Sequence, residues 1–344
     1  LTLNLLRRDI QLPTGSEFRR QFIITTWTDE GPIYDATSLD LIRSFAKGYV
    51  SYYRGAPPIT YPKSTTTYVN VTMSPKQLAL YQRVMRSERI NLYTDDYLEG
   101  KIPQNFFIGV RMISNIVYPN NDIRKRGFDS MKPSDYSPER LKILSPKFTE
   151  IMKRLGKGTA FIYSNFKGYN GINGLAACLK ARGWKDYLED DKGPKRFAIW
   201  SGDQTLEDRN RIRSVFNNPL NADGRHIKLI LGSPSIKEGV TLLRVEQVHL
   251  VDFYWNLSRV DQIIGRAIRF CSHKDVKPSK RHVSVFIYLA VHPKLKISID
   301  QYILRVANAK QELNNQFTMA LKESAIDCNL FKNANEPELV CSHS

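Results

Sequence analysis

The sequence lacks a phosphate-binding loop of the form G-x-x-x-x-G-K-[S/T]. Such a loop needs those residues so that its backbone N–H groups can surround phosphate oxygens. Lysine follows glycine only at Gly100-Lys101 and Gly156-Lys157, and the next residue is Ile102 or Gly158 rather than serine or threonine. We therefore expect that this chain alone cannot build the usual nucleoside triphosphate site.

Cysteine is also scarce, with four residues in the chain and no C-x-x-C pair, and the six histidines are scattered without metal-ligand spacing. This usage argues against a zinc site and more strongly against a disulfide framework, and it favours a reducing compartment. No run of about 18 apolar residues exists, so no membrane span is expected. Residues 1–8 show neither a signal-peptide pattern nor an initiator methionine, which suggests a fragment of a longer protein.

Acidic residues are outnumbered: 34 Asp and Glu stand against 51 Lys and Arg, for a net charge of +17. That excess favours a polyanionic partner, although basic proteins also bind ribosomes or acidic membranes. The length of 344 residues and the 42% hydrophobic content are typical of a globular chain of two domains with a sizeable core.

One basic stretch, residues 259–269, reads Arg-Val-Asp-Gln-Ile-Ile-Gly-Arg-Ala-Ile-Arg. Its periodicity predicts a helix over residues 260–270 with Gln262, Arg266 and Arg269 on one face. Two guanidinium groups on one face suit a polyphosphate, because each donates planar hydrogen bonds and stays charged. An amphipathic helix with a solvated basic face explains these eleven residues equally well.

From Thr159 onward, segments that read as strands alternate with segments that read as helices. Such alternation predicts a parallel sheet covered by helices on both faces, in which ligands lie at the carboxyl ends of the strands. The predicted strands are residues 160–164, 196–200, 227–231, 247–252 and 283–289, and the predicted helices are residues 174–182, 207–216 and 260–270.

Four ordered segments resemble motifs of superfamily 2 helicases, close to the chromatin-remodeller branch. The resemblance to motifs V and VI covers the loop Gly232–Thr241, the strand that ends at Asp252, the pair Trp255-Asn256 and residues 259–269. Residues Thr159–Phe166 resemble motif IV. The segment that these helicases carry between motifs IV and V has a counterpart in Trp200-Ser201-Gly202-Asp203 and the later Phe216-Asn217.

Two further segments resemble helicases of large cytoplasmic DNA viruses. They are Ser51–Gly55 (SYYRG) and Lys322–Cys328 (KESAIDC), and the second resembles the poxvirus early transcription factor small subunit and its African swine fever virus counterpart. This resemblance implies a role in viral early transcription, with the viral transcription machinery as a partner. It also implies location in the host cytoplasm and the virion.

The superfamily 2 resemblance implies ATP with Mg²⁺ bound between two RecA-like motor domains, held mainly by an upstream first domain that carries the phosphate loop and an Asp-Glu pair. In this chain Arg266 and Arg269 would be arginine fingers. Gln262 would bind phosphate, while Glu238 and Gly239 would approach the ribose or the interdomain cleft. For Gly239 a turn requirement is an equally good explanation.

The same resemblance implies a nucleic-acid track, with DNA favoured over RNA, along the motif IV and V loops. The expected contact residues are Asn165, Phe166, Lys167, Ser233, Ser235 and Lys237. Such contacts bind phosphates and carry little sequence information. Asp252, in contrast, is expected to be a strand-end carboxylate whose hydrogen bonds are satisfied within the fold.

The resulting domain prediction has five parts. Residues 1–72 would be a mixed segment that ends the first motor domain, with an exit strand at 65–72. Ser74 would cap the linker helix that starts at Pro75, since Ser followed by Pro is typical of a helix start. The remaining parts are an insertion to residue 140 with a mobile basic loop around Arg124-Lys125-Arg126, the RecA-like domain 141–293, and C-terminal helices 294–330 before a polar tail 331–344.

Alternatives stay open at this point. Asp29-Glu30 follows a short apolar run, yet Gly31-Pro32 makes a loop the better interpretation than an ATPase Asp-Glu motif. Gly168-x-x-Gly171-x-x-Gly174 after a strand could be a methyltransferase or dehydrogenase loop, although the spacing is not G-x-G-x-x-G. A nucleic-acid-binding promoter-factor module without motor activity is the non-enzymatic alternative, and the basic loop could be a solvated surface rather than a contact.

Overall fold

The computed structural model contains two compact units, one of residues 1–58 with 305–344 and one of residues 59–304. The residues that the structure describes are 2–7, 9–28, 31–53, 60–90, 92, 107–190, 192–237, 240–331 and 341.

The first unit contains an antiparallel β-hairpin between short helices. Its elements are α1 (Thr2–Leu6), α2 (Gly15–Phe22), β1 (Ile23–Thr28), β2 (Gly31–Ala36) and α3 (Leu39–Ala46). Phe22 and Ile42 are buried together with Ala320, so the core of this unit joins residues from both ends of its sequence. Asp29 and Glu30 lie outside the described residues.

The second unit is built from alternating strands and helices. Its first elements are β3 (Lys63–Thr72), α4 (Pro75–Ser87), α5 (Ile108–Asn115), α6 (Lys125–Asp129), α7 (Pro138–Leu144), α8 (Pro146–Arg154), β4 (Ala160–Tyr163) and α9 (Ile172–Lys180). The later ones are β5 (Lys185–Asp186), β6 (Arg196–Trp200), α10 (Leu206–Phe216), β7 (Leu229–Gly232), β8 (Gln247–Leu250), α11 (Leu257–Ile264) and β9 (His282–Val291). The last helix, α12 (Ile299–Glu323), begins in this unit, and its residues from Arg305 onward belong to the first unit. The predicted cap of α4 is confirmed, since Ser74 Oγ accepts a hydrogen bond from the Gln77 N–H at 3.1 Å.

Among the described residues, seven strands form one sheet in the order β3-β9-β8-β4-β7-β6-β5, and all neighbours are parallel. The central strands β4 and β7 are buried along their whole length, as continuous apolar runs require. The predicted α/β fold is therefore confirmed. Residues 63–72, assigned above to the end of a first motor domain, form the edge strand of this sheet beside β9.

The predicted helix 260–270 is wrong at its carboxyl end, because α11 stops at Ile264. Arg266 N–H and Ala267 N–H bond back three residues, to the carbonyls of Ile263 and Ile264. The Arg266 carbonyl accepts from the Leu242 N–H at 2.9 Å instead of continuing the helix. This tertiary bond, after a glycine of low helix propensity, leaves only Gln262 of the predicted polar face on the helix.

The predicted basic loop around residue 125 also differs from the structure. Residues 125–129 form helix α6, and residues 133–136 form a 3₁₀ turn. The cause is aromatic packing: the Phe128 ring stacks on Tyr169 with centroids 4.6 Å apart and rests against the main core.

The argument against disulfides was wrong in one place, since Cys328 and Cys341 are bonded. The turns that follow α12 bring Cys328 into a small apolar cluster with Val50 and Tyr52, where Cys341 also packs. The inference of a reducing compartment from cysteine spacing thereby loses its basis.

Neither a membrane-spanning helix nor a cluster of metal-ligating side chains occurs among the described residues. No described helix combines the length and apolar character needed to cross a membrane. Within the same residues, no three His, Cys, Asp or Glu side chains gather in a way that could hold a metal ion.

A buried ion pair joins the start of α12 to α8. Lys147 Nζ lies 2.8 Å from Asp300 Oδ2, and the two side chains are only 1% and 3% exposed. Lys147 also donates to Asn115 Oδ1 at 3.1 Å, while Asp300 accepts from the Ala290 N–H of β9 at 2.8 Å. Each buried charge thus has several hydrogen-bond partners, which is the condition for tolerating such a pair.

His249, on β8, is a buried neutral histidine. Its ring stacks beside Phe286 and Tyr288, and Nδ1 shares a 2.8 Å hydrogen bond with the Tyr288 hydroxyl. Burial, aided by the charge of Arg154, lowers the pKa of His249 to about 3. A charged imidazole is therefore excluded from the folded sheet at neutral pH.

Lys147→Met should lower the free energy of unfolding by about 3–5 kcal/mol, because Asp300 would remain buried without its counterion. The double variant Lys147→Met/Asp300→Asn should recover much of this loss, since asparagine keeps an acceptor for the Ala290 N–H and carries no charge. Urea unfolding of the wild type, the single and the double variant measures both values. A double variant less stable than the single one would contradict the explanation.

His249 should make the protein less stable in acid. Its folded pKa lies below the unfolded value, so the unfolded state binds the proton first, and stability present above about pH 6.5 is lost as the pH falls toward about 3. Between about pH 7.5 and 5.5 the wild type should lose about 1.4 kcal/mol more than His249→Gln. Parallel curves for the two proteins in urea unfolding would refute this.

Candidate active site

The candidate site lies at one edge of the sheet, where three neighbouring strands end. β4 lies between β8 and β7, and Tyr163 is paired with both Leu250 and Gly232. The segments that follow these strands, which resemble motifs IV, V and VI, therefore begin side by side. This is the carboxyl edge at which open parallel sheets bind ligands.

The side chain of Asp252 organises this edge. It is 4% exposed, and its carboxylate accepts hydrogen bonds from the Asn165 N–H at 2.9 Å and the Asn165 side-chain amide at 2.6 Å. Ser164 Oγ donates to the other carboxylate oxygen, as does Asn115 Nδ2 at 3.3 Å. The expected satisfied carboxylate is what the structure shows, and it binds the motif IV loop to the end of β8.

The other motif IV residues already have partners within the chain. The Phe166 ring lies under the buried guanidinium of Arg111, with 5.1 Å from the Arg111 Cζ atom to the ring centroid. Lys167 forms an ion pair with Asp203, and both side chains are largely exposed. An exposed pair of this kind contributes little to stability, so Lys167 can exchange Asp203 for another anion at small cost.

The motif V residues differ in how deeply their side chains are buried. Ser233 is 2% exposed, and its hydroxyl lies 3.4 Å from the Trp200 carbonyl, so it faces the interior. Ser235 is half-buried, and its hydroxyl lies 3.3 Å from that of Ser233. Lys237 ends the 3₁₀ turn Pro234–Lys237. Glu238 and Gly239 lie outside the described residues.

The three polar residues of motif VI follow one another across the end of α11. Gln262 is exposed on the last turn, Arg266 is half-buried, and Arg269 is exposed beyond it. Arg269 Nη1 donates to Thr241 Oγ1 at 2.8 Å, which joins motif VI to the residue that follows the motif V turn. Burial, and then the charge of Arg269, lower the pKa of Arg266.

The arginine segment is anchored on its far side. The Arg244 N–H donates to the Ser272 carbonyl at 3.1 Å, and Arg244 Nη1 lies 2.9 Å from Asp275 Oδ2. His273 Nε2 lies 3.0 Å from the Val245 carbonyl. The backbone that follows Arg269 is thereby tied to the segment between motif V and β8.

Sequence reasoning missed Thr241, Arg111 and a cation–aromatic stack. In the stack the Arg259 guanidinium lies 3.8 Å above the Tyr254 ring, which itself stacks on Trp255 at 4.2 Å. The adjacent aromatics Tyr254 and Trp255, followed by an arginine, were a visible signal of such a stack. Thr241 and Arg111 had no signal of their own, because only the tertiary structure brings them to the site.

Comparison with known proteins agrees with this arrangement. Residues 146–271 match the family described as Helicase conserved C-terminal domain. A protein named "Putative ATP-dependent RNA helicase" from Acanthamoeba polyphaga mimivirus is 49% identical over 97% of this chain, which spans 59% of that relative's length.

One further relative matches a smaller part of this chain, and one solved structure matches it at lower sequence identity. A protein named "Termination factor NPH-I homolog" from African swine fever virus is 34% identical over 39% of this chain and 20% of its own length. A crystal structure of the C-terminal part of the Fun30 ATPase domain is 15% identical with a TM-score of 0.46, over 76% of this chain and 98% of that one. Residues 146–271 are thus similar to the helicase conserved C-terminal domain, and the chain is similar to putative helicases of large DNA viruses.

Proposed function

We propose that this chain supplies the second motor domain of a nucleic-acid-dependent ATPase, a superfamily 2 helicase or translocase. The observation that carries the proposal is the pair Arg266 and Arg269, placed beyond α11 at the carboxyl edge of the sheet. Burial, and then the charge of Arg269, lower the pKa of Arg266, so the two guanidinium groups repel each other. A bound polyanion would relieve that repulsion, so the pair suits a triphosphate.

In this proposal ATP and Mg²⁺ are held mainly by a separate first motor domain, because this sequence has no phosphate-binding loop. When bound, ATP supplies the phosphoryl group whose charge Arg266 and Arg269 would stabilise. Gln262, exposed one turn before Arg266, would contact phosphate, and Glu238 and Gly239 would lie near the ribose. The Thr241 hydroxyl orients Arg269 and links its position to motif V.

The nucleic-acid track would follow the motif IV and V loops. Asn165 and Phe166 are fixed by Asp252 and Arg111, so this loop presents its backbone and Lys167 in one shape. On motif V, the half-buried Ser235 is better placed than the buried Ser233, and Lys237 is proposed as a further phosphate contact. The net charge of +17 supports a polyanionic track, and we favour DNA over RNA.

The biological setting of the proposal is early transcription in a large DNA virus. The partners would be the upstream motor domain and the viral transcription machinery, in the host cytoplasm and the virion. The relative named a termination factor homolog supports a role linked to transcription.

The first experiment is an ATPase assay of the chain alone and after joining it to the part of the mimivirus relative that this chain does not span. Arg269→Ala should lower the DNA-stimulated rate about 10³–10⁵-fold, the contribution of arginine fingers in nucleotide hydrolases, and leave ATP binding largely intact. Arg213→Ala, an exposed arginine on α10, is the matched control and should retain full activity. Normal hydrolysis by Arg269→Ala would exclude the finger assignment, and hydrolysis by the chain alone would place the nucleotide site elsewhere.

Lys167→Ala should weaken DNA binding by removing one phosphate contact. The slope of log K against log salt should fall in magnitude by about 0.9 for duplex or about 0.7 for single-stranded DNA. Lys157→Ala is the control, because Lys157 precedes β4 and lies at the opposite end of that strand. Fluorescence anisotropy at several salt concentrations measures both slopes, and equal changes for the two variants would remove Lys167 from the track.

A further inference from the structure

A second concave site lies away from the proposed ATPase edge. It is a cavity of about 230 Å³ lined by Tyr187, Arg196, Val215, Asn218, Leu220 and His226. Arg196 is the first residue of β6, and His226 precedes β7. The cavity is therefore at the amino ends of strands whose neighbours carry motifs IV to VI at their carboxyl ends. An occupant here would leave the candidate active site uncovered.

The chemistry of the cavity is set by a buried guanidinium. Arg196 is 5% exposed, and its Nη2 donates to the Arg225 carbonyl at 2.7 Å. Its Nε is buried and has no hydrogen-bond partner. Within the part of the chain that the structure describes, no carboxylate forms an ion pair with Arg196. Burying a cation without a counterion is costly, so this site favours an incoming anion.

A second guanidinium shares the aromatic wall of the cavity. Arg196 and Arg211 both lie over the Tyr187 ring, with their Cζ atoms 6.0 and 5.3 Å from its centroid. The neighbouring acid, Asp190, is in an ion pair with Lys185, and its attraction to Arg196 is a minor influence on it. One wall of the cavity is thus aromatic, and the buried Arg196 guanidinium lies beside it.

The volume of the cavity and the residues that line it indicate which class of anion fits. About 230 Å³ is below the roughly 300–1,000 Å³ of pockets for drug-sized ligands, and it is enough for one side chain. Val215 and Leu220 form an apolar wall, and Leu220 is 69% exposed at the surface. Arg196, Asn218 and His226 supply hydrogen-bond donors beside this wall, and a carboxylate on a short apolar stem matches both features.

We propose that this cavity binds the carboxylate side chain of an acidic peptide segment on a partner protein, with apolar residues beside the acid packing on Leu220 and Val215. Arg196 forms the charge-assisted hydrogen bonds, and the Tyr187 ring covers the stem. The excess of basic residues in this chain, net +17, makes an acidic partner complementary. This site is independent of the ATPase assignment.

The test is a methyl NMR titration of the whole chain, observed at Val215 and Leu220. The probe is the capped peptide Gly-Leu-Glu-Leu-Gly, compared with the same peptide carrying glutamine, with glutarate, with inorganic phosphate and with single-stranded DNA. The glutamate peptide should saturate both methyl signals and bind at least about tenfold more tightly than the glutamine peptide, the value of one charge-assisted hydrogen bond. Equal binding of these two peptides overturns the proposal.

The variants separate the site from general electrostatics. Arg196→Gln should lose at least about tenfold in affinity for the glutamate peptide, whereas Arg225→Gln, which removes a neighbouring exposed arginine paired with Asp223, should not. If Arg196→Gln does not fold, Leu220→Glu places a carboxylate at the mouth and should block the peptide. Tighter binding of phosphate or DNA, or glutarate binding as well as the peptide, would also overturn the proposal.

Discussion

The buried carboxylate of Asp252 is the constraint on which the candidate site depends. A charge that is 4% exposed must be surrounded by donors, and those donors come from the Ser164-Asn165 segment and from Asn115 on α5. The loop after β4 therefore has one shape that satisfies Asp252. This requirement sets the positions of the residues in this loop that are proposed to contact nucleic acid.

Asn115 extends that constraint into the interior. Its amide nitrogen donates to Asp252, while its oxygen accepts from Lys147, which pairs with Asp300. One continuous set of hydrogen bonds thus links the end of β8 to α8, the start of α12 and β9. Fully satisfied networks of this kind fix a single arrangement even where they add little net stability. The loop at the active edge is consequently held by the same interactions that hold the sheet against its helices.

The arginines at the two edges of the sheet differ in how deeply they are buried and in which residues surround them. At the carboxyl edge Arg266 and Arg269 repel each other across the end of α11, and a tertiary hydrogen bond to the Arg266 carbonyl keeps them out of a regular helix. At the amino edge the buried Arg196 lies over the Tyr187 ring. Two guanidinium groups, one half-buried and one exposed, suit a polyphosphate, whereas one buried group beside an apolar wall suits a single carboxylate.

Local pattern predicted much of the second unit. The apolar runs at residues 160–163 and 229–231 gave buried parallel strands, and Ser74 before Pro75 gave the start of α4, because burial and capping act over a few neighbouring residues. The same reasoning extended α11 to residue 270, since periodicity carries no information about the Leu242 N–H that ends the helix.

What the sequence determined by itself was the α/β alternation and the order of the motif segments along the chain. Only the tertiary structure decided that Thr241 meets Arg269, that Ser233 faces the interior, that Cys328 bonds Cys341, and that Arg196 lines a cavity. The physical reason is distance along the chain. Hydrogen bonds, disulfides and cavities join residues that the packed strands bring together, whereas hydrophobic periodicity reports only on the residues within one helix or strand.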